Sequence, residues 1–476
     1  MHPLAKLDHQ FVWHPFTQMR DWLRDEPIVI SEGQGAVLRD VKGREYLDAN
    51  SSIWTNLHGH QHPKLNSAVR GQLNKISHSS ALGFANEPAS LLAGKLVGVA
   101  NSKLAKVFYS DDGSTALEVA VKLAYEFTRR TRCNTVGRAS ARAVSPRLLA
   151  LDGAYHGDTI GAVSLGHIDL FHKAYAGLLF KTDKVMSPYC YRCPFNRAKP
   201  ERDDARNYRK CRWECVSRVE QKLSAQTKKG NPYAAFVFEP LMQGAAGMIP
   251  QPGGWLRQVT DIARSHGALL VADEVMTGFG RTNSKLSAAA SRSSLFACQQ
   301  ELVQPDFLCL AKGLTGGYLP MAATLTTQKV FDAFLGGYEE LKTFFHGHSY
   351  TGNQLGAAAA LASLDILQSK SSVSQRVRLQ KQMQDELQTL WVLPHIGDIR
   401  QVGLVAGIEL VKNWRTREPF ALRERAGIRV CAAMSRRGVL TRPAGNVIVL
   451  MPPYCTTKTQ MQKIASALRE AVAEVF

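Results

Sequence analysis

The sequence predicts an α/β protein built on a mostly parallel sheet, and three observations carry that prediction. Apolar runs of four or five residues recur along the chain, segments of helical period separate them, and the runs end in polar or glycine-rich turns. Continuous apolar runs suit strands covered on both faces, and their alternation with helices suits a parallel sheet.

Taken in chain order, the opening segment to about residue 70 holds two strand-like pieces, Val37–Val41 and Glu45–Asp48, around a Lys42-Gly43 turn. Ala116, Val119, Ala120, Leu123 and Phe127 then repeat at helical spacing. The apolar runs follow at Leu148–Leu151, Ala234–Phe238, Ala268–Ala272 and Phe307–Leu310, which together make residues 71–340 a large α/β domain. From about residue 341 the chain turns to amphipathic helices and the strand-like Val447–Leu450, which predicts a smaller domain over 341–476. Two stretches read as additions to the core. One is a basic, cysteine-containing segment near 189–218; the other is a small-residue stretch over 284–294, expected to be a flexible loop.

A chain of 476 residues, 45% hydrophobic, is long enough to bury a sizeable core. No apolar run approaches the roughly 20 residues of a membrane helix. The amino terminus, Met1–His9, has no apolar stretch with a cleavage site, so the expected location is cytoplasmic. Lys and Arg number 59 against 40 Asp and Glu, a formal charge of +19. Much of that density lies between Arg197 and Arg218, where no stacking motif accompanies it, so a solvated basic insertion is expected rather than a nucleic-acid surface. Nine cysteines without a signal peptide argue against a disulfide framework. Four of them, Cys190, Cys193, Cys211 and Cys215, have spacing close to that of zinc sites and compatible with an iron–sulfur cluster. Free thiols in a basic loop are the competing reading. A metal there would staple the insertion and take no part in catalysis.

Chemistry concentrates at the ends of the apolar runs. Asp273 closes the run at 268–272, and Lys312 follows the run at 307–310 ahead of a glycine-rich turn. Carboxyl ends of strands are where open α/β sheets bind ligands. Pyridoxal phosphate needs a lysine for its aldehyde and an anion to keep its ring nitrogen protonated, and Asp273 and Lys312 supply that pair. Gly113 and Ser114 fall at a helix start, where unpaired N–H groups and the helix dipole favour a phosphate. Tyr155, just past the run at 148–151, has a ring suited to stacking on a flat heterocycle. The donor-rich stretch Thr343–Thr351 contains Gly347, His348 and Ser349, and Arg442 carries a planar fork for a carboxylate.

The run Val271–Thr282 followed by Cys309–Gly317 resembles the class III pyridoxal-phosphate-dependent aminotransferases, of fold type I. The segments Trp13–Met19, Ser51–Gly59, Tyr155–Thr159, Phe345–Asn353 and Leu440–Pro443 carry the likeness along nearly the whole chain, leaving the two additions outside it. The resemblance implies a smaller α+β domain built from both chain ends, with residues 1–70 joining it. It implies that Lys312 holds the cofactor as a Schiff base and moves the proton, that Asp273 pairs with the ring nitrogen, and that Tyr155 covers the ring. Gly113 and Ser114 would hold the phosphate with, across a homodimer, Ser349 of the partner subunit, and His348 is counted among the cofactor-binding residues. Arg442 would take a substrate carboxylate, with Ile53, Trp54 and Gly347 lining the channel. Within the family the chain is similar to the branch of biotin biosynthesis that aminates 8-amino-7-oxononanoate to 7,8-diaminononanoate. The S-adenosyl-L-methionine-using members of that branch have two adjacent tryptophans where this chain has Ile53 and Trp54, and tyrosines where it has Phe16 and Val449. Those apolar replacements resemble the L-lysine-using members, so both donors stay open. An ω-amino-acid or diamine aminotransferase, and a basic partner- or nucleic-acid-binding protein on an aminotransferase scaffold, are the alternatives.

Overall fold

The computed structural model describes residues 1–100, 103–136, 145–166, 168–282 and 294–476. The small-residue loop expected over 284–294 therefore lies, but for Ser294, outside the described residues.

The apolar runs read from the sequence form strands of a single seven-stranded sheet. Its strands are β1 (Leu104–Ser110), β2 (Arg147–Leu151), β3 (Asp183–Val185), β4 (Tyr233–Phe238), β5 (Leu269–Asp273), β6 (Phe307–Leu310) and β7 (Ala322–Thr327), in the spatial order β1-β7-β6-β5-β4-β2-β3. Strands β2 to β6 pair in parallel, and only β7 runs against its two neighbours. The carboxyl ends of β1, β2, β4, β5 and β6 consequently share one edge of the sheet. Helices cover both faces, so every residue of β4 and of β6 is buried, and Phe236, Phe238 and Phe307 are among the largest fully buried side chains. Each such ring contributes about 1.5–3 kcal/mol by leaving water. That burial fixes the strand ends on which the site is built.

The two chain ends meet in a second sheet. Strands Ile30–Gln34, Val37–Asp40 and Glu45–Asp48 form an antiparallel meander, and Val439–Leu440 adds to it in parallel, with Val439 opposite Leu47. A third, antiparallel sheet brings together Ile396–Val402, Val405–Asn413, Val447–Leu450 and Pro443–Ala444.

The basic segment near 189–218 departs from the solvated loop expected of it. Three of its arginines reach the third sheet and the turn before it: Arg192 donates to Glu409 at 2.7 Å, Arg202 to the carbonyls of Ile396 and Leu393, and Arg206 to the carbonyl of Gln401 at 2.8 Å. At the centre of this contact, fully buried Arg400 donates to Glu409 at 2.6 Å, to Asp398 at 3.1 Å and to the carbonyls of Gly247 and Met248. Tyr189, from the basic segment, donates its hydroxyl to Glu409 and lays its ring under the Arg400 guanidinium. Local sequence cannot show this, because the positive charges find their partners about 200 residues later. Among the described residues no helix is long and apolar enough to cross a membrane.

Candidate active site

A cavity of about 520 Å³ opens at the shared carboxyl edge of the sheet. Its lining comes from the residues that follow each strand: Asp111–Ser114 after β1, Tyr155–Gly157 after β2, Glu239 after β4, Asp273 at the end of β5 and Lys312 after β6. Trp54 and Met276 complete one wall, and Tyr318–Met321 another.

At one end the 24-residue helix Gly113–Val136 begins. Asp112 caps it, accepting from the Thr115 N–H at 2.9 Å, and the first turn is left facing the cavity. Gly113 is required there: a Cβ would sit 2.7 Å from Val275 Cγ1. Ser114 Oγ accepts from the Asp158 N–H at 3.2 Å and still has a proton to donate. Uncharged donors at the positive end of a long helix make an anion site.

At the floor, Asp273 meets His156 Nδ1 at 2.7 Å, both side chains buried, and accepts from the Val275 N–H at 3.0 Å. His156 Nε2 is buried without a hydrogen-bond partner. Lys312 adopts a left-handed backbone, φ 39°, as the chain leaves β6. Its remaining surface faces the cavity, and burial lowers the pKa of its amine, opposed by the charges of Asp273 and Glu239. The Lys312 amine also lies 4.7 Å from the centre of the Trp54 indole. Glu239 accepts from the N–H groups of Tyr155 at 3.2 Å and Gly244 at 2.8 Å, yet burial pushes its carboxyl up to about 7. Tyr155 presents its ring to the cavity, with its hydroxyl on Asp158 and its other face towards His172.

Of the residues anticipated from sequence, the structure gathers Gly113, Ser114, Tyr155, Asp273, Lys312 and Trp54 into this cavity. It does not bring in Ile53, which is 45% exposed, nor Gly347, Ser349 or Arg442, all exposed. His348 stands one residue further out, its ring 3.4 Å from Asp111, and Ser349 offers only its carbonyl, to His78. Two groups were not anticipated, His156 and Glu239. Glu239 carried a usable signal, since it closes an apolar run in the same way as Asp273 does. The metal expectation is corrected: among the described residues no group of three or more His, Cys, Asp or Glu could hold a metal ion. Cys190 packs with Tyr191 and Ala205 in the segment's own small core and Cys215 in the main core, and burial raises their thiols to about 12 and about 11, opposite to what ligation needs.

These features define a pyridoxal-phosphate-dependent transferase: a desolvated amine, a buried carboxylate beside it and a helix start that accepts a phosphate, all in one cavity at the sheet edge. The chain belongs to the class-III aminotransferase family, whose pattern matches residues 20–472 and runs through the basic cysteine segment. It is 46% identical over 473 residues, 99% of this chain and 82% of the relative, to the adenosylmethionine-8-amino-7-oxononanoate aminotransferase of Nitratidesulfovibrio vulgaris. The enzyme of that name from Geobacter sulfurreducens is 44% identical over 99% of this chain and 98% of its own. The crystal structure of the Methanocaldococcus jannaschii enzyme of the same name superposes with a TM-score of 0.87 at 38% identity, covering 99% of this chain and 98% of that one. An omega transaminase from Pseudomonas jessenii in complex with PMP gives a TM-score of 0.87 at 26% identity, with coverage of 100% and 98%.

Proposed function

We propose that this aminotransferase converts 8-amino-7-oxononanoate to 7,8-diaminononanoate in biotin biosynthesis, taking the amino group from S-adenosyl-L-methionine. The observation that carries the reading is the arrangement of Lys312, Asp273 and the Gly113–Ser114 helix start around one cavity, in a chain over 40% identical along its length to enzymes named for that conversion.

Bound pyridoxal phosphate supplies an aldehyde that takes up amines and a ring that draws electrons from the carbon bearing the nitrogen. The protein's own groups divide the remaining work. The N–H groups of Gly113 and Ser114 and the Ser114 hydroxyl hold the phosphate. Asp273, fixed by His156, would supply the anion for the ring nitrogen, and Tyr155 would supply a flat face for the ring. Lys312, whose amine burial shifts towards the neutral form, would hold the aldehyde and is placed to accept and return a proton at the substrate carbon. Glu239, near its own midpoint at neutral pH, moderates the charge on that amine. The wall of Trp54 and Met276, backed by the buried cluster of Met242 and Val449, would give the nine-carbon acceptor an apolar bed.

Arg442, Ile53, Gly347, His348 and Ser349 enter this reading through a homodimer with shared sites. The exposed rings of Phe345 and Tyr350 flank those last three positions along the chain and mark the surface a second copy would cover. There Ser349 of the partner subunit would reach the phosphate, and Arg442 the acceptor carboxylate. Sedimentation should give a dimer, with activity lost on dilution below its dissociation. A cytoplasmic location belongs to the same reading, and fractionation tests it.

L-Lysine as donor is favoured by one observation. Ile53 is turned outward, Phe16 is exposed and Val449 is buried, which leaves few aromatic faces for a sulfonium. The deciding experiment is turnover of 8-amino-7-oxononanoate with each donor separately, alongside borohydride trapping of the cofactor. Turnover with S-adenosyl-L-methionine and label on Lys312 is expected. Turnover with lysine alone reassigns the donor, and none with either overturns the acceptor.

A further inference from the structure

Residues Ser51 to Trp54 form a left-handed turn without a single glycine. Their φ angles are 47°, 48°, 62° and 71°, a region that L residues other than Gly, Asn and Asp rarely enter singly, let alone in four successive positions. The β-branched Ile53 is the least suited of all. Such a conformation persists only where its surroundings dictate it.

The surroundings are specific. Asp48, 3% exposed, accepts from the N–H of Ser52 at 3.0 Å, the Ser52 hydroxyl at 2.9 Å and the N–H of Asn50 at 3.3 Å. His60 Nε2 lies 3.1 Å from the same carboxylate, and the ring's Nδ1 is met by the Asn56 amide at 3.1 Å. Burial pushes the Asp48 carboxyl upward, but its bonds to His60 and Ser52 outweigh that and hold it below the ordinary carboxylate range. Ser51 donates to the carbonyl of Met451 at 2.6 Å, and Thr55 and Asn56 return N–H bonds to the Ser51 carbonyl. Reversed handedness turns Ile53 out to solvent and Trp54 in, against Met242, Met276 and Met451 and beside the Lys312 amine. In that place the indole N–H is buried without a partner.

We propose that Asp48 is a positioning residue: by clamping the left-handed turn it sets the Trp54 wall against Lys312, and so fixes where the acceptor chain lies. Asp48 is not among the residues lining the cavity and acts through Trp54. The inference rests on the acceptor reading above for its kinetic test alone.

The test compares wild type, Asp48→Asn, Trp54→Phe and the double variant. Loss of a charged hydrogen-bond acceptor is worth about tenfold, so Asp48→Asn should raise the KM for 8-amino-7-oxononanoate about tenfold with kcat within about threefold. Trp54→Phe should raise it similarly, and the double variant should be no worse than the poorer single one, because both remove the same contact. Ser52→Gly, at a position where glycine is unstrained, keeps the fold and should give a smaller rise of about threefold. The apoenzyme gives a second readout. The fluorescence contributed by Trp54, taken as the difference from Trp54→Phe, should become more open to acrylamide in Asp48→Asn. Multiplying KM effects together with unchanged quenching would overturn the proposal. If wild type fails to aminate the acceptor, the functional reading falls by itself, and the apoenzyme quenching still decides on the clamp.

Discussion

The cavity floor and the contact around Arg400 are built from the same kinds of side chain, buried to similar depth, and differ in how completely their charges are met. Arg400 reaches two carboxylates and two carbonyls, so against burial, with Tyr189, Glu409 and Asp398 around it, its pKa rises; Glu409, against burial, is held down by Arg400 and Arg192. At the floor the balance reverses. Burial dominates for Lys312, which falls, and for Glu239, which climbs to about 7. Around Arg400 burial still pushes Asp398 up to about 7, so the contrast rests on Arg400 and Glu409, whose charges are met completely and held in one protonation state, against Lys312 and Glu239, whose charges are not. The contrast separates an ionic joint from an ionic machine, and substitutions can break it.

The largest effect belongs to Lys312. Lys312→Ala should lower turnover by at least about 10⁴-fold and abolish borohydride-trapped label, since anchoring and proton movement are lost together. Its thermal midpoint should not fall, because the amine it removes is poorly solvated in the fold. A large fall would mean that the floor, too, is a joint.

Arg400→Met should show the opposite pattern. It leaves Asp398 without its cation, leaves Glu409 with only Arg192 and Tyr189, and frees two carbonyls, which costs about 3–5 kcal/mol of stability for one half of a buried ion pair. Turnover per folded molecule should stay within about threefold of wild type. Denaturant unfolding and active-site titration read the two quantities separately. Unchanged stability with lost turnover would erase the distinction.

The floor was legible in the sequence for a physical reason. A carboxylate or amine directly after an all-apolar run must emerge at a strand's carboxyl edge, so Asp273 and Lys312 announced themselves, and a glycine before a helical period marked Gly113. Glu239 obeys the same rule after Tyr233–Phe238 and went unread because no motif drew the eye to it. The joint could not be read, because Arg192, Arg202 and Arg206 look like solvated charge until the strands near 400 fold against them. The wall was half legible. Ile53 and Trp54 were both expected to line the channel, and only a turn of left-handed sense, invisible in residue types that disfavour it, sends one of them out. Arg442, Gly347 and Ser349 are exposed outside the cavity, so nothing within the chain's own core pattern ties them to it.

Glu239 offers the sharper form of the comparison. Its folded pKa of about 7 exceeds the ordinary glutamate value, so the folded apoenzyme keeps a proton that the unfolded chain has lost between pH 4.5 and 7. Stability therefore falls as pH rises through that window, with no penalty below it and the whole penalty, about 3 kcal/mol, above it. Glu239→Gln should remove that slope, so that apoenzyme unfolding measured at pH 5 and pH 8 differs less in the variant than in wild type. Glu274, which burial also raises to about 7, stays in both proteins and cancels. Parallel pH curves would show that Glu239 is a satisfied structural group after all.

The smallest effect lies at the phosphate end, which uses neither of the two charge arrangements. Gly113 and Ser114 offer neutral donors oriented by a 24-residue helix, so nothing there needs to titrate and nothing is lost when no anion is present. Ser114→Ala removes one hydroxyl and leaves the backbone N–H groups and the helix dipole in place. The Asp158 N–H loses its acceptor, but Asp158 is exposed and water replaces it. Apoenzyme stability should therefore be unchanged, while equilibrium dialysis of pyridoxal phosphate should show binding weakened about fivefold, the worth of one hydrogen bond of about 1 kcal/mol. A drop in apoenzyme stability without weaker binding would assign Ser114 to the turn instead, as the acceptor that fixes the loop after β2.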